Sequence, residues 1–245
     1  IAAIALPSRV IFVSHASRKI WDRFDRYGNF DVIHNGIDLS RFPGRGMPGE
    51  RSRNRASLAV KDGTIVLLCV GTINARKCQE DLVEATALLP RAVLERVRIF
   101  LVGDDKDLYA KKLKQRCQTW PSHLREKIRF FPSTDSVQPF YAAADIFVLC
   151  SKEESHPRVV LEAMAFGLPV IATPVYGVTE QLTEGKNAFF YANGNAGELA
   201  EKIECLAQDN ALRDRMGRCA AKCFSELTTF EKMTDAYAAV LQKTA

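Results

Sequence analysis

Short apolar runs recur along this chain, each followed by a longer stretch of helical periodicity. The runs cover 10–13, 31–33, 65–70, 98–102, 128–131, 146–149, 170–172 and 188–191. Between them the spacing predicts helices over 51–59, 79–89, 107–120, 137–144, 158–166 and 178–182. After residue 195 the pattern is wholly helical, through 196–208, 211–224 and 229–241. Runs such as IVLLCV (65–70) and IFVL (146–149) have no polar face. A strand with no polar face must be covered on both sides, which is the situation of a parallel sheet between two helical layers. The alternation therefore predicts an α/β, Rossmann-like fold with helices on both faces of the sheet. Neither a repeat nor a low-complexity tract interrupts it, and the Gly- and Pro-bearing stretch 42–49 is the one linker-like segment.

The segment from Ser151 to Pro174, SKEESHPRVVLEAMAFGLPVIATP, carries the strongest chemical signal. Glu154 falls in the loop after the 146–149 run, at the carboxyl end of a strand, where open α/β sheets bind ligands. Glu162 follows about one turn into the next helix, about 6 Å along its axis. It sits among Val160, Leu161, Ala163 and Met164, where a carboxylate without a partner is costly. Pro157 suits a first helical turn, whose free amides can hold an anion; His156, Arg158 and Val159 offer such amides, and Pro157 has none. Carboxylates for hydroxyls and amides for phosphate together suit a sugar nucleotide. The plainer reading is a solvated loop acid beside a helix-face acid.

A second cluster is Gly71-Thr72-Ile73-Asn74-Ala75-Arg76-Lys77, which leaves a buried strand and opens a helix. Backbone amides and two basic side chains converge there, with Lys77 placed for an outer phosphate and Arg76 for a bidentate grip. Two exposed basic residues after a turn are the alternative.

These pieces together resemble the E-x7-E signature and flanking landmarks of the retaining "group 1" glycosyltransferases, whose GT-B fold pairs two Rossmann-like domains. The resemblance rests on His34-Asn35-Gly36-Ile37-Asp38, Val70-Gly71-Thr72 with Arg76-Lys77, Tyr141 to Asp145, Glu154 with Glu162, and Glu162 through Val170. It implies that the chain is the donor-binding half of a GT-B enzyme that moves a hexosyl-type residue to a glycan, lipid-linked or other acceptor. It also implies that Glu162 holds the ribose, Glu154 the donor sugar, and Lys77 with Arg76 the departing diphosphate. The turn at Phe131-Pro132 would supply the base pocket, although Phe131 also suits the core. The chain departs from the family pattern at Thr72, where relatives often carry arginine, and at Cys78, where they often carry glycine. It departs again at His156-Pro157, where an aromatic residue and a glycine are common. His156 is open between a ligand and an exposed loop residue. Family members typically need no metal or other cofactor, and Asp104 and Asp105 are adjacent rather than spaced. Two alternatives are a nonenzymatic nucleotide-binding module and an epimerase or sugar phosphorylase on the same scaffold.

Domain expectations follow from the same match. Residues 1–30 resemble the last strand and helix of the acceptor domain, 31–228 the sugar-nucleotide domain, and 229–245 a C-terminal helix that commonly crosses back to the other half. The chain starts with Ile1 rather than Met, so a longer parent with an upstream acceptor domain is expected; residues 1–6 are too short and uncharged for a signal peptide. No apolar run approaches a membrane span. Seven cysteines, with Cys69 and Cys150 in expected strands and no C-x2-C pair, point to reduced thiols and the cytoplasm. The net charge of +5 concentrates in 41–55 and 106–116. Those runs suit solvated surfaces or an anionic membrane face where lipid-linked acceptors reside. They lack the interleaved aromatics of a nucleic-acid platform.

Overall fold

A computed structural model describes residues 8–227 and 229–244. The expectation for 1–6, and positions 1–7, 228 and 245 of the expected segments, lie outside the described residues. β1 (Val10–Phe12) and β2 (Phe30–Val32), joined through helix α1 (His15–Trp21), form a small parallel pair of their own. The boundary expected after residue 30 thus falls inside β2. A second sheet contains β3 (Ile65–Val70), β4 (Val97–Val102), β5 (Ile128–Phe131), β6 (Ile146–Leu149), β7 (Val170–Ala172) and β8 (Ala188–Phe190). Its order is β5-β4-β3-β6-β7-β8 and all its pairings are parallel. Every expected strand appears within one residue of its expected ends.

The helices that cover it are α2 (Glu50–Ser57), α3 (Gln79–Leu88), α4 (Arg91–Arg96), α5 (Leu108–Gln118), α6 (Ser122–Arg125), α7 (Gln138–Ala143), α8 (Arg158–Ala165), α9 (Val178–Gln181), α10 (Ala196–Gln208), α11 (Asn210–Glu226) and α12 (Phe230–Thr244). The periodicity does not reveal α4 and α6. Each opens directly after a proline, Pro90 and Pro121, and is too short to repeat an apolar stripe.

Alternate residues of β3 enter opposite cores. Leu67 and Cys69 join Leu82, Ile99, Val148 and Ile203 on one face, while Val66 and Leu68 join Phe100, Phe147, Val160 and Met164 on the other. Val66, Leu67 and Leu68 are fully buried, so each contributes about 1.5–3 kcal/mol of transfer free energy. The apolar run without a polar face is thereby accounted for.

Two features hold α8, the helix of Glu162, in place. Pro157 stands at its start with no side-chain cap. At its end Gly167 adopts φ +68°; its amide donates to the Met164 carbonyl and the Leu168 amide to the Ala163 carbonyl, at 2.9 and 3.0 Å. That is a Schellman ending, which consumes carbonyls that would otherwise lack partners. Farther from the site, Asp145 accepts from the Val66 amide (2.8 Å) and pairs with Arg51 and Arg55. Two arginines of the 41–55 basic run thus serve the fold: Arg51 and Arg55 also cap the carbonyls of Ala144 and Ala143 at the end of α7. Among the described residues no helix is long and apolar enough to cross a membrane.

Candidate functional site

β3 has β4 on one side and β6 on the other, so the strand order reverses between β3 and β6. The loops that leave these two strands, 71–77 and 150–157, face one another across that switch point, where ligands bind in open α/β sheets. The first loop is pressed against the chain after β4. A Cβ on Gly103 would stand 2.0 Å from the Gly71 carbonyl oxygen, so only glycine fits there. The Ile73 amide donates to the Asp104 carbonyl at 2.8 Å, and Gln79 Nε2 to the Thr72 carbonyl at 3.0 Å. Cys78 closes the loop with φ +47°. Glycine takes this left-handed geometry without the side-chain penalty that cysteine bears.

The two loops are stapled together. Arg76 donates from Nη1 to the Glu153 carbonyl (2.7 Å), and the Lys152 amide donates to the Arg76 carbonyl (2.8 Å). Lys77 is ion-paired with Glu154, and Arg76 lies 3.6 Å from the same Oε1. The Ser151 hydroxyl also donates to that oxygen at 2.8 Å, while the Ser151 carbonyl accepts from Thr173 Oγ1 at 2.5 Å. Glu154 therefore carries two donors on one oxygen, Lys77 and Ser151, with the Arg76 guanidinium at ion-pair distance. Its side chain is 9% exposed, against 48% for Arg76, so the carboxylate is inside and the guanidinium, though bonded to the Glu153 carbonyl, reaches solvent. Arg76, Glu154, Ser155, His156, Asn35 and Tyr176 line a cavity of about 640 Å³ that also reaches α1.

Glu162 faces elsewhere. It lines a smaller cavity of about 150 Å³ with Arg158, Arg41 and Phe230. Its Oε2 accepts from the buried Tyr141 hydroxyl at 2.7 Å. Burial pushes the Glu162 carboxyl up, only partly offset by Tyr141, Arg41 and Arg158. Glu154 and Glu162, expected to serve one ligand, thus line two neighbouring cavities. Arg158 belongs to the second. Val159 packs against the core of the α7–α8 layer. Phe131 is packed edge-on between Phe100 and Phe140, at 5.0 and 4.8 Å, under the Arg129 guanidinium at 4.7 Å. Phe131 and Pro132 line neither cavity.

His156 is buried at 4% exposure rather than solvated. Its ring stacks on His34 at 4.9 Å, and Gln181 Nε2 lies 3.3 Å from Nδ1. Burial, with His34 adding to it, pushes its pKa down to about 4. Its carbonyl accepts from Asn35 Nδ2 at 2.7 Å, which ties the Glu154 loop to the linker after β2.

Sequence reasoning passed over Ser151, Thr173, Tyr141 and Gly103 as parts of the site. Ser151 is the first polar residue after a buried strand, one position beyond Cys150. Nothing local marks Thr173 or Gly103, and the 141–145 landmark does not reveal that Tyr141 bonds Glu162, since each acts across a crossover. The cysteines are all free, and Cys219 and Cys223 are half-buried on α11. His15, His34 and Glu180 bring potential metal-ligand atoms within 4.8 Å of one another at the edge of the site.

Comparison with known proteins agrees with this architecture. The family description "Glycosyl transferases group 1" matches residues 50–222. A D-inositol 3-phosphate glycosyltransferase of Arthrobacter sp. (strain FB24) is 31% identical over 201 residues, covering 80% of this chain and 46% of that protein. The lipopolysaccharide core biosynthesis glycosyltransferase LpsE of Rhizobium meliloti is 30% identical over 190 residues, covering 77% and 53%. Anabaena Alr3699/HepE, in a crystal structure with UDP-glucose, superimposes with a TM-score of 0.86 at 26% identity, covering 96% of this chain and 64% of that one. The chain spans about half the length of the curated relatives it matches.

Proposed function

Because the chain belongs to the group 1 glycosyl transferases, we propose that it is the donor-binding half of a retaining, sugar-nucleotide-dependent hexosyltransferase of GT-B architecture. The observation that carries this is the meeting of Lys77, Arg76 and Glu154 at the β3/β6 switch point. The UDP-glucose bound by HepE, a protein of similar fold, supports a sugar nucleotide as the ligand here.

In this proposal Lys77 exchanges Glu154 for the outer phosphate when donor binds, and Arg76, already exposed, closes on the diphosphate. As the bond from the anomeric carbon to the diphosphate oxygen breaks, negative charge grows on that oxygen. Fixed cations aimed at it supply the main electrostatic assistance. Glu154, released by Lys77 but still held by Ser151, accepts from sugar hydroxyls. Glu162 accepts from the ribose, and the Phe131-Pro132 turn borders the base. This chemistry is assigned no metal or other cofactor. Transfer needs an acceptor hydroxyl in attack geometry; we assign that task to the part of the relatives that this chain does not span. This chain alone therefore binds donor and hydrolyses it slowly without robust transfer. A cytoplasmic site is proposed, with the exposed α5 lysines facing an anionic membrane and its lipid-linked acceptors.

Calorimetric titration with UDP-sugars and other nucleoside diphosphate sugars tests the assignment. Charge-assisted phosphate contacts are worth about 1.5–3 kcal/mol, so Lys77→Ala weakens the best ligand by about tenfold or more. Equal affinity in the wild type and Lys77→Ala removes Lys77 from the site. Product analysis with isotope-labelled donor in the longer protein separates transfer from epimerisation and phosphorolysis.

A further inference from the structure

Three elements meet beside the Glu154 loop without any part in the donor chemistry. His15 opens α1, His34 follows β2, and Glu180 lies on α9 after β7. His34 Nε2 is 3.0 Å from Glu180 Oε2, and the rings of His15 and His34 meet edge-on at 5.3 Å. The His15 ring is exposed and the other two side chains are half-buried. One ligand atom from each residue lies within 4.8 Å of the other two. Atoms about 2.1 Å from a tetrahedral zinc stand about 3.4 Å apart, so small side-chain rotations close the set.

We propose that His15, His34 and Glu180 bind a divalent transition metal of the zinc class, which clamps the β1–α1–β2 unit to the six-stranded sheet. The donor set decides the class. Two imidazoles with one carboxylate suit zinc and its first-row neighbours, whereas calcium and magnesium demand oxygen ligands. Three protein ligands leave a fourth position for water.

The surroundings already orient the ligands, as outer partners do in metal sites. The Ala16 amide donates to Glu180 Oε1 at 2.7 Å and the His15 amide to Oε2 at 3.1 Å. Those amides fix the carboxylate beside the His34 ring. His34 is held flat against His156 with 16° between the rings. His156 itself is turned to Gln181 and serves as a wall, not a ligand.

The test is a Co2+ titration of the chelator-treated, 245-residue chain without nucleotide, read by visible d–d absorption, followed by displacement with Zn2+. One saturable equivalent with a tetrahedral spectrum is expected, together with a higher melting temperature in Zn2+. His15→Ala keeps the backbone amide that serves Glu180, so it folds, and it binds at least about tenfold more weakly. Absence of saturable binding in the wild type overturns the proposal. So does equal affinity in His15→Ala, or binding abolished by thiol alkylation, which assigns the ion to the cysteines. None of these results bears on donor binding.

Discussion

Acidification should unfold this chain partly through one histidine. The His156 ring is held at a pKa of about 4, against an ordinary 6.5, because burial and the stacked His34 ring disfavour its charged form. Glu180, behind His34, pulls the other way but does not prevail. In the unfolded chain the ring takes up a proton below 6.5, while the folded chain refuses it until about pH 4. The unfolded state thus holds more protons throughout that window, and stability falls as pH drops through it. At pH 5 the unfolded ring is almost fully protonated and the folded ring almost fully neutral. At about 1.4 kcal/mol per pKa unit, His156 costs about 2 kcal/mol at pH 5 and almost nothing at pH 7. Carboxylates titrate nearby as well, so the informative quantity is a difference. His156→Phe keeps an aromatic ring against His34 and cannot be protonated. Urea unfolding at pH 7 and pH 5, followed by circular dichroism, should show the wild type losing about 2 kcal/mol more than His156→Phe. Equal losses in the two proteins refute the assignment of a buried, neutral His156.

Two further outcomes follow from local geometry. Tyr141→Phe removes the hydroxyl that donates to the partly buried Glu162 carboxylate and should cost about 1–3 kcal/mol in urea unfolding at neutral pH; an unchanged midpoint means that Glu162 finds another donor. At Cys78, whose φ is +47°, glycine should prove about 1 kcal/mol more stable than alanine, since both lose the thiol and only glycine sheds the left-handed penalty; the ranking is read from paired melting curves.

Much of the fold was legible because it is written in local periodicity. The run IVLLCV has no polar face, and only a strand covered on both sides explains that, as the split of Leu67 and Leu68 between opposite cores shows. Helices α4 and α6 escaped because they are shorter than two turns, so no stripe can repeat in them. For the candidate site, residue types at fixed spacing located both loops, and the structure brought Lys77, Arg76 and Glu154 together across 77 positions of sequence. Phe131, open between base pocket and core in the sequence, packs in the core because its edge contacts to Phe100 and Phe140 come from β4 and α7, neighbours that a turn sequence does not name.

By itself, then, the sequence determined the class of fold, the order of its elements and which loops carry charged groups, since these depend on period and residue type along a few consecutive positions. Tertiary structure alone decided what those groups face. The strand order put β6 beside β3, so Lys77 met Glu154 rather than open solvent. The packing of α7 on α8 gave Glu162 a tyrosine partner and a cavity of its own. The seating of the β1–α1–β2 unit against α9 buried His156 under His34 and gathered His15, His34 and Glu180. Burial and pairing are sums over residues remote in sequence, so no window along the chain contains them.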